Sequence, residues 1–422
     1  MPKRKSISNP VVKMDSLKWV VFSMLGLILL VSPYNRALFN GEQVPFEMPV
    51  YYAILASLFL LFLMLFYFYR HGRLIHVRDL FGLAIWLVPL SYFLSTFQAA
   101  SPYYAKLAFF ISLVYVTMFL IGIYCTDGKR LRALHFLFML SGYTLVIYGF
   151  LNWFGHAEYK DAVLSNRLSN VFQYPNSYAA YLLGLLFMNS CFTVTLKNPV
   201  LRMSNSLMLV PITLSLLLTL SRGALVVIPI ILVVSLIVLS VGKQLHLIMN
   251  VGFGFLLSVL IYDRVRQIGI NDHSNWQQSL EGWLYLIVSS VILAILTFVC
   301  YLIEIWWRKR FEKKNRELNR WKIFVIPSVI IVLFALLIGV ILQDNSKLVQ
   351  WLPPNIAARI QTLGSEDLSV VQRIVFVRDS MEIVKDYPLF GAGGGGWASL
   401  YEQYQSVPYT SRQVHNYYLQ HL

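Results

Sequence analysis

Charged side chains are scarce in this sequence. They make up 13% of its 422 residues, whereas hydrophobic residues make up 57%. A soluble domain of this length and composition would expose far too much apolar surface. Apolar runs of about twenty residues recur between short charged loops, which is typical of membrane-spanning helices. The scarcity of charge therefore excludes a soluble globular fold and predicts an all-α polytopic membrane protein.

Cysteine is also rare. Cys125, Cys191 and Cys300 each fall in or beside an apolar run, so they offer neither a disulfide framework nor a metal-ligand spacing. No small-residue cleavage site follows the first apolar run, at about 17–33. We therefore interpret that run as an uncleaved first span rather than a signal peptide.

The apolar runs predict eleven membrane spans, or twelve if the chain begins another at its end. Residues 1–342 would form the transmembrane bundle, 343–415 a long extracytoplasmic loop with an amphipathic helix, and 416–422 the start of a further, truncated span. The eleven spans are placed at about 17–33, 50–69, 79–97, 105–125, 134–152, 176–196, 207–220, 224–241, 245–262, 280–305 and 323–342.

The net charge of +15 is consistent with either nucleic-acid binding or a positive-inside bias. A basic segment at residues 1–16 places the N-terminus in the cytoplasm. From that start, the predicted inner segments hold 22 Lys and Arg residues, the short outer loops hold 7, and the long terminal loop holds 6. This distribution favours the membrane explanation, with no nucleic-acid partner, and puts the long loop outside the cell membrane.

Ionisable residues are nearly missing from the middle of the spans. Ion-coupled transporters usually need carboxylates or histidines there. A transporter or flippase of lipid-linked saccharides is therefore the weaker alternative to an enzyme whose site lies in the outer loops. A purely structural membrane protein is a second alternative.

Two outer arginines stand beside turn residues. Arg167 precedes an aromatic-Pro-Asn turn that opens the sixth span, and Arg222 lies in the tight connection LTLSRGAL, where Ser221 and Gly223 leave room around it. A single arginine at a helix end is often an interfacial anchor. At headgroup depth, however, its guanidinium can also fork onto a lipid-linked diphosphate.

The terminal loop predicts a helix that begins with Ser365 as N-cap and ends before Pro388. Arg373 and Arg378 would lie on the margins of an apolar stripe, either as ordinary surface residues or facing a cavity. The residues of that stripe are Val370, Ile374, Val377, Met381 and Val384, and the opposite face holds Asp379, Glu382 and Asp386.

A glycine run, GAGGGGW at 391–397, follows this helix. It formally matches a dinucleotide-binding fingerprint but lacks the strand and helix that such a site requires. Its glycines instead predict unusual dihedrals and a close backbone approach, as in a turn that touches substrate. His415 comes next, in VHNYYLQHL. It is either an interfacial histidine without chemistry or a general base acting on a sugar hydroxyl.

Taken together, these segments resemble the O-antigen ligase/polymerase family of bacterial membrane glycosyltransferases, the Wzy/WaaL-type proteins. The resemblance covers roughly residues 165–422. The matching segments are RLSNVFQYPN from Arg167, LTLSRGA around Arg222, Arg373 with the later DYPLFGAGGGGW, and VHNYYLQ around His415.

The resemblance implies a GT-C-type bundle in the plasma membrane that transfers glycan from an undecaprenyl-diphosphate-linked donor to an acceptor hydroxyl at the outer face. The transfer would invert the sugar carbon and need no cofactor or metal ion. Arg222 and Arg373 would bind the donor diphosphate and assist its departure, with Arg167 as a weaker donor contact, and His415 would deprotonate the acceptor.

The acceptor stays open at this point. A ligase transfers a finished chain, a polymerase joins repeat units, and a protein O-oligosaccharyltransferase modifies a polypeptide. The expected partners are therefore the lipid-linked donor, membrane lipids and a saccharide, lipid or protein acceptor.

Overall fold

The structure is a computed structural model and describes residues 10–38, 48–70, 77–126, 128–270, 276–311, 322–341, 353–361 and 368–420. Within these ranges, eight helices are long and apolar enough to cross a membrane. Three shorter apolar helices lie at Lys18–Tyr34, Arg222–Val238 and Phe324–Leu333. The structure thus confirms the all-α polytopic class.

The described part of the chain contains seventeen α-helices, four 3₁₀ helices of three residues each and one short hairpin. The helices are α1 Pro10–Val31, α2 Met48–Arg70, α3 Val77–Ala84, α4 Leu87–Ser95, α5 Pro102–Cys125, α6 Gly128–Trp153, α7 Pro175–Thr195, α8 Pro199–Ser206, α9 Leu209–Leu218, α10 Arg222–Val238, α11 Val241–Ile270, α12 Trp276–Phe311, α13 Lys322–Ile341, α14 Pro354–Gln361, α15 Leu368–Asp386, α16 Gly396–Tyr404 and α17 Tyr417–Gln420; the strands are β1 Val163–Leu164 and β2 Arg167–Leu168.

Each predicted span coincides with helical structure, but some bounds differ. We expected the segment 197–206 to be a loop, but its residues Pro199–Ser206 form α8. Pro199 suits the first helical position, and the Asn198 side chain caps the helix by accepting a hydrogen bond from Val200 N at 2.9 Å. Helices α11 and α12 are longer than the predicted spans at 245–262 and 280–305.

The chain divides into two compact units, which are described separately. Unit 1 comprises Met1–Ser32, Phe46–Phe136 and Ser365–Leu422, and unit 2 comprises Pro33–Pro45 and Leu137–Gly364.

Helix α9 is the central element of unit 2. All ten of its residues are buried, and it packs against α7, α11 and α12. A helix that is apolar on every side can be buried completely by other helices, as α9 is here. Trp153, fully buried at the end of α6, donates its indole N–H to Val265 O of α11 at 2.9 Å and so fixes one end of this bundle.

The opposite end of unit 2 holds a buried ionic contact. Arg202 of α8 donates to Glu304 of α12 at 2.8 Å, and His246 of α11 lies 3.2 Å from the same carboxylate oxygen. Such a buried pair is tolerable only when its charges are compensated by each other and by further hydrogen bonds. Arg202 has these, to the carbonyls of Leu196 and Val194 at the end of α7.

Unit 1 combines membrane-type helices with a small aromatic domain. Helices α2 and α5 bury Leu60, Val116 and Ile121 between them. The outer face of α2 exposes Leu55 and Phe62, each 64% accessible, as expected for a helix face in contact with lipid. The aromatic domain consists of α15, α16 and α17, with a core of its own.

The glycine run joins this domain to the start of α5. Gly393 and Gly395 have φ angles of +79° and +73°. A Cβ atom added to Gly394 would overlap the Cβ of Ala108, and Ala100 N donates to Ala392 O at 2.9 Å. The predicted unusual dihedrals and close approach are therefore confirmed, and the surface that the glycines approach is helix α5.

We expect Gly394→Ala to destabilise unit 1, because the added methyl overlaps Ala108. Overpacking of this kind costs about 1–3 kcal/mol. Thermal unfolding of the detergent-solubilised protein should show a lower midpoint for Gly394→Ala, and Ala108→Gly in the same chain should restore it. Gly184→Ala is the matched control, since nothing lies within 4 Å of a Cβ there. An unchanged midpoint for Gly394→Ala would contradict the packing described.

Candidate functional site

The four candidate residues lie in two groups. Arg167 and Arg222 belong to unit 2, whereas Arg373 and His415 belong to unit 1. Within each unit the structure brings the two residues into one neighbourhood, so each group is a candidate site of its own.

Arg167 follows a tight hairpin turn that sequence reasoning missed. Strands β1 and β2 pair antiparallel, with Leu164 opposite Arg167. The two residues between them, Ser165 and Asn166, have φ angles of +50° and +59°. Two left-handed residues in succession are typical of the turn that matches the twist of a hairpin, and asparagine tolerates that conformation.

The guanidinium of Arg167 connects three parts of unit 2. Its Nε donates to Thr219 O at 2.7 Å, and one terminal nitrogen donates to the Asn176 side-chain oxygen at 2.9 Å. Asn176 in turn donates to the Tyr174 hydroxyl at 3.1 Å. The hairpin, the start of α7 and the turn between α9 and α10 are thus held at one point.

Arg222 is the first residue of α10. The preceding Ser221 caps the helix, its hydroxyl accepting from Ala224 N at 3.5 Å, and a Cβ at Gly223 would meet nothing within 4 Å. The space beside Gly223 is therefore open, and the room predicted around the Arg222 side chain stays a prediction. A cation at a helix N-terminus opposes the helix dipole, which instead favours an anion there. Arg222 and the start of α10 together therefore suit a negatively charged ligand.

The buried face of α15 differs from the predicted apolar stripe. Ile374 and Met381 are 63% and 44% exposed, whereas Asp379, which we placed on the opposite face, is only 2% exposed. The face that packs against α16 instead carries Phe376 and Ile383. The predicted stripe is wrong because a pattern of apolar residues takes no account of a carboxylate with buried partners. The predicted N-cap, Ser365, lies outside the described residues.

Asp379 is held by the loop that leads to His415. Its Oδ2 atom accepts from Tyr409 OH at 2.7 Å and from Ser406 N at 3.1 Å. Desolvation, followed by the bond to Asp379, raises the pKa of Tyr409, so its hydroxyl stays a donor at neutral pH. Trp397 of α16 adds a bond from its indole N–H to Ser411 O at 2.9 Å. Three points of this loop are therefore fixed.

His415 lies next to α15 in a strained backbone conformation. Its φ angle is +57°, which is uncommon for a residue other than glycine. The imidazole stacks on Phe376 with ring centroids 6.1 Å apart. Asn416 then caps the last helix, its side-chain oxygen accepting from Tyr418 N at 3.1 Å.

The electrostatics of His415 favour the neutral imidazole. Desolvation lowers its pKa below the ordinary value, and the positive charge of Arg373 lowers it further. Arg373 itself is exposed on α15. A neutral imidazole next to a cation combines a proton acceptor with a group that attracts anions.

Sequence reasoning missed Asp379, Tyr409 and Asn176 as supporting residues. Asn176 follows Pro175 directly, and its place at the first turn of α7 is a signal that could have been used. Asp379 offered none, because its partners lie 27 and 30 residues away along the chain.

Comparison with known proteins identifies part of the chain. The family model of the O-antigen ligases, Wzy_C, matches residues 279–422. The match includes Arg373 and His415 and confirms the resemblance over these residues. For Arg167 and Arg222, which precede it, the resemblance stays a prediction. No curated protein and no solved structure matches the chain.

We expect Asp379→Ala to release the His415 loop. It leaves the Tyr409 hydroxyl and the Ser406 N–H without their acceptor, and bonds to a charged group contribute about 1.5–3 kcal/mol each. Limited proteolysis of membranes should show faster cleavage in residues 405–416 for Asp379→Ala, with Glu382→Ala as the control from the exposed face of α15. Equal cleavage rates for the two variants would contradict the anchoring role.

Proposed function

Residues 279–422 form a domain of the O-antigen ligase family, and we propose that this protein transfers glycan from a polyprenyl-diphosphate-linked donor to an acceptor hydroxyl. The donor lipid would be undecaprenyl diphosphate. The family match supports a membrane enzyme that transfers glycans, and the finer steps below are our proposal.

We assign binding of the donor diphosphate to two of the predicted arginines, Arg222 and Arg373. Arg222 has the fork geometry that matches phosphate oxygens, and the start of α10 adds the positive end of a helix dipole. Arg373 contributes a second guanidinium from α15. As the sugar leaves the diphosphate, negative charge grows on the leaving oxygens, and both arginines stabilise it. Arg167 has the Nε atom and one terminal nitrogen engaged within the protein.

His415 acts as the general base. The acceptor oxygen attacks the anomeric carbon from the side opposite the diphosphate, so that a new C–O bond forms while the bond to the diphosphate oxygen breaks. The acceptor proton passes to the imidazole of His415, and the polyprenyl diphosphate leaves with the bonding electrons. A single displacement of this kind inverts the sugar carbon and, with arginines on the leaving group, needs no metal ion.

One observation carries this proposal. In the domain that matches the family, a histidine in a left-handed backbone conformation lies near an exposed arginine that lowers its pKa. Residues in sparsely populated conformations persist where the surrounding structure holds them, and they cluster at functional sites. A base with a lowered pKa is also neutral, and hence able to accept a proton, over a wider pH range.

The location follows from the charge distribution. On that basis we propose that the N-terminus lies in the cytoplasm and that the candidate residues act at the outer face of the plasma membrane, where lipid-linked glycans are accessible without nucleotide sugars. The acceptor is a saccharide for a polymerase, a lipid-linked core for a ligase, or a protein hydroxyl for an O-oligosaccharyltransferase.

A flippase of lipid-linked saccharides is the competing function. It requires polar or charged groups along a path through the bundle. In the described residues of unit 2, the buried ionic contact of Arg202, His246 and Glu304 joins the ends of helices rather than their middles. This arrangement supports the enzyme over the flippase.

The direct test is glycan transfer in membranes that contain His415→Ala, Arg222→Ala or Arg373→Ala at equal protein levels. Loss of an acid–base group should lower the rate by about two to four orders of magnitude. Gln413→Ala, an exposed change in the same loop, is the control. Transfer near the wild-type rate in His415→Ala would remove the base assignment. Loss of transfer on addition of a chelator would contradict the metal-independent scheme.

The pH dependence tests the link between Arg373 and His415. A general base must be deprotonated, so kcat/KM should fall as the pH drops through the pKa of His415, which lies below the ordinary histidine value. Arg373→Gln removes the positive neighbour and should move this acid limb to higher pH, whereas Arg373→Lys keeps the charge and should leave its position unchanged. If both variants retained the wild-type acid limb, the electrostatic coupling would be absent.

A further inference from the structure

The turn that leads into α10 is strained. Leu220 has a φ angle of +49°, a conformation that costs a residue with a Cβ atom about 1–2 kcal/mol. Its neighbour Thr219 caps the end of α9, and the Thr219 hydroxyl accepts from Ser221 N at 3.3 Å. Arg222 follows Leu220 by two residues, so the direction of the Arg222 side chain depends on the conformation of this turn.

Arg167 contacts this turn at Thr219, the residue before the strained Leu220. Its Nε donates to the carbonyl of Thr219 at 2.7 Å, directly before the left-handed residue. Charged donors make hydrogen bonds about twice as strong as neutral ones, and the planar guanidinium fixes the direction of the bond. Asn176 orients the same guanidinium through a terminal nitrogen. The contact therefore compensates the strain of Leu220.

We propose that Arg167 is a positioning residue that holds the Thr219–Ser221 turn in its left-handed conformation and so presents Arg222 to the donor diphosphate. This inference rests on the proposed function and deepens it. It assigns Arg167 a role through Arg222, whereas the sequence alone suggested a weak direct contact with the donor.

A backbone rescue experiment tests the proposal. Arg167→Lys keeps the positive charge but loses the fixed geometry of the guanidinium. It is introduced into the wild-type chain and into the parents Leu220→Gly and Leu220→Ala, and kcat and the donor KM are measured for each. Glycine adopts the left-handed conformation without strain, whereas alanine does not, and both lack the leucine side chain. The two parents thus separate backbone strain from side-chain packing.

The expected result is specific to the glycine parent. Arg167→Lys should lower kcat/KM for the donor by about fivefold to thirtyfold in the wild-type and Leu220→Ala chains, which corresponds to the strain of Leu220 that the lysine side chain no longer compensates. In the Leu220→Gly chain, Arg167→Lys should lower kcat/KM for the donor by less than about threefold. An equal loss in all three chains would overturn the proposal and return Arg167 to direct donor binding.

A double-mutant cycle distinguishes this inference from the proposed function. If Arg167 acts through Arg222, then adding Arg167→Lys to Arg222→Ala should cause little further loss, whereas independent donor contacts give additive losses. Additivity would therefore overturn the positioning role alone. Wild-type transfer by Arg222→Ala would instead refute the role of Arg222 in the proposed function, whatever the behaviour of Arg167.

Discussion

The cost of placing charge in an apolar helical bundle is the constraint on which the rest of this structure depends. An unpaired ion in hydrocarbon is so unfavourable that charged side chains are confined to helix ends or paired there. Arg222 lies at the first position of α10, and Arg202 finds its partners between the ends of α7, α11 and α12. Because charged side chains are confined to helix ends, they are concentrated at the depth where an anionic lipid headgroup would contact the protein.

Backbone conformation gives these few cations their direction. Left-handed residues stand beside the candidate groups in both units, as Ser165 and Asn166 before Arg167, Leu220 before Arg222, and His415 itself. Each needs a contact that offsets its strain, such as the Arg167 bond to the Thr219 carbonyl. The glycine run works differently, because its absent side chains let the aromatic domain of unit 1 approach helix α5.

Much of this could be predicted because the membrane imposes a simple length and polarity rule. Runs of about twenty apolar residues predicted the helices, and the aromatic-Pro-Asn turn at Pro175 marked where α7 begins. Motif order pointed to the family, whose model matches residues 279–422 and so includes the motifs of Arg373 and His415. The spacing of apolar residues predicted the wrong buried face for α15. Asp379 is buried there because its hydrogen-bond partners come from a loop that is distant along the chain.

The sequence by itself determined the helical class, the approximate positions of the apolar helices and the identity of the candidate cations, since these follow from local composition. Only the tertiary structure decided that Arg167 binds the turn before Arg222, that Arg373 acts on His415, and that Asp379 anchors the loop between them. These contacts join residues far apart along the chain. Their distances depend on how whole helices pack, and no local pattern of residue types encodes that.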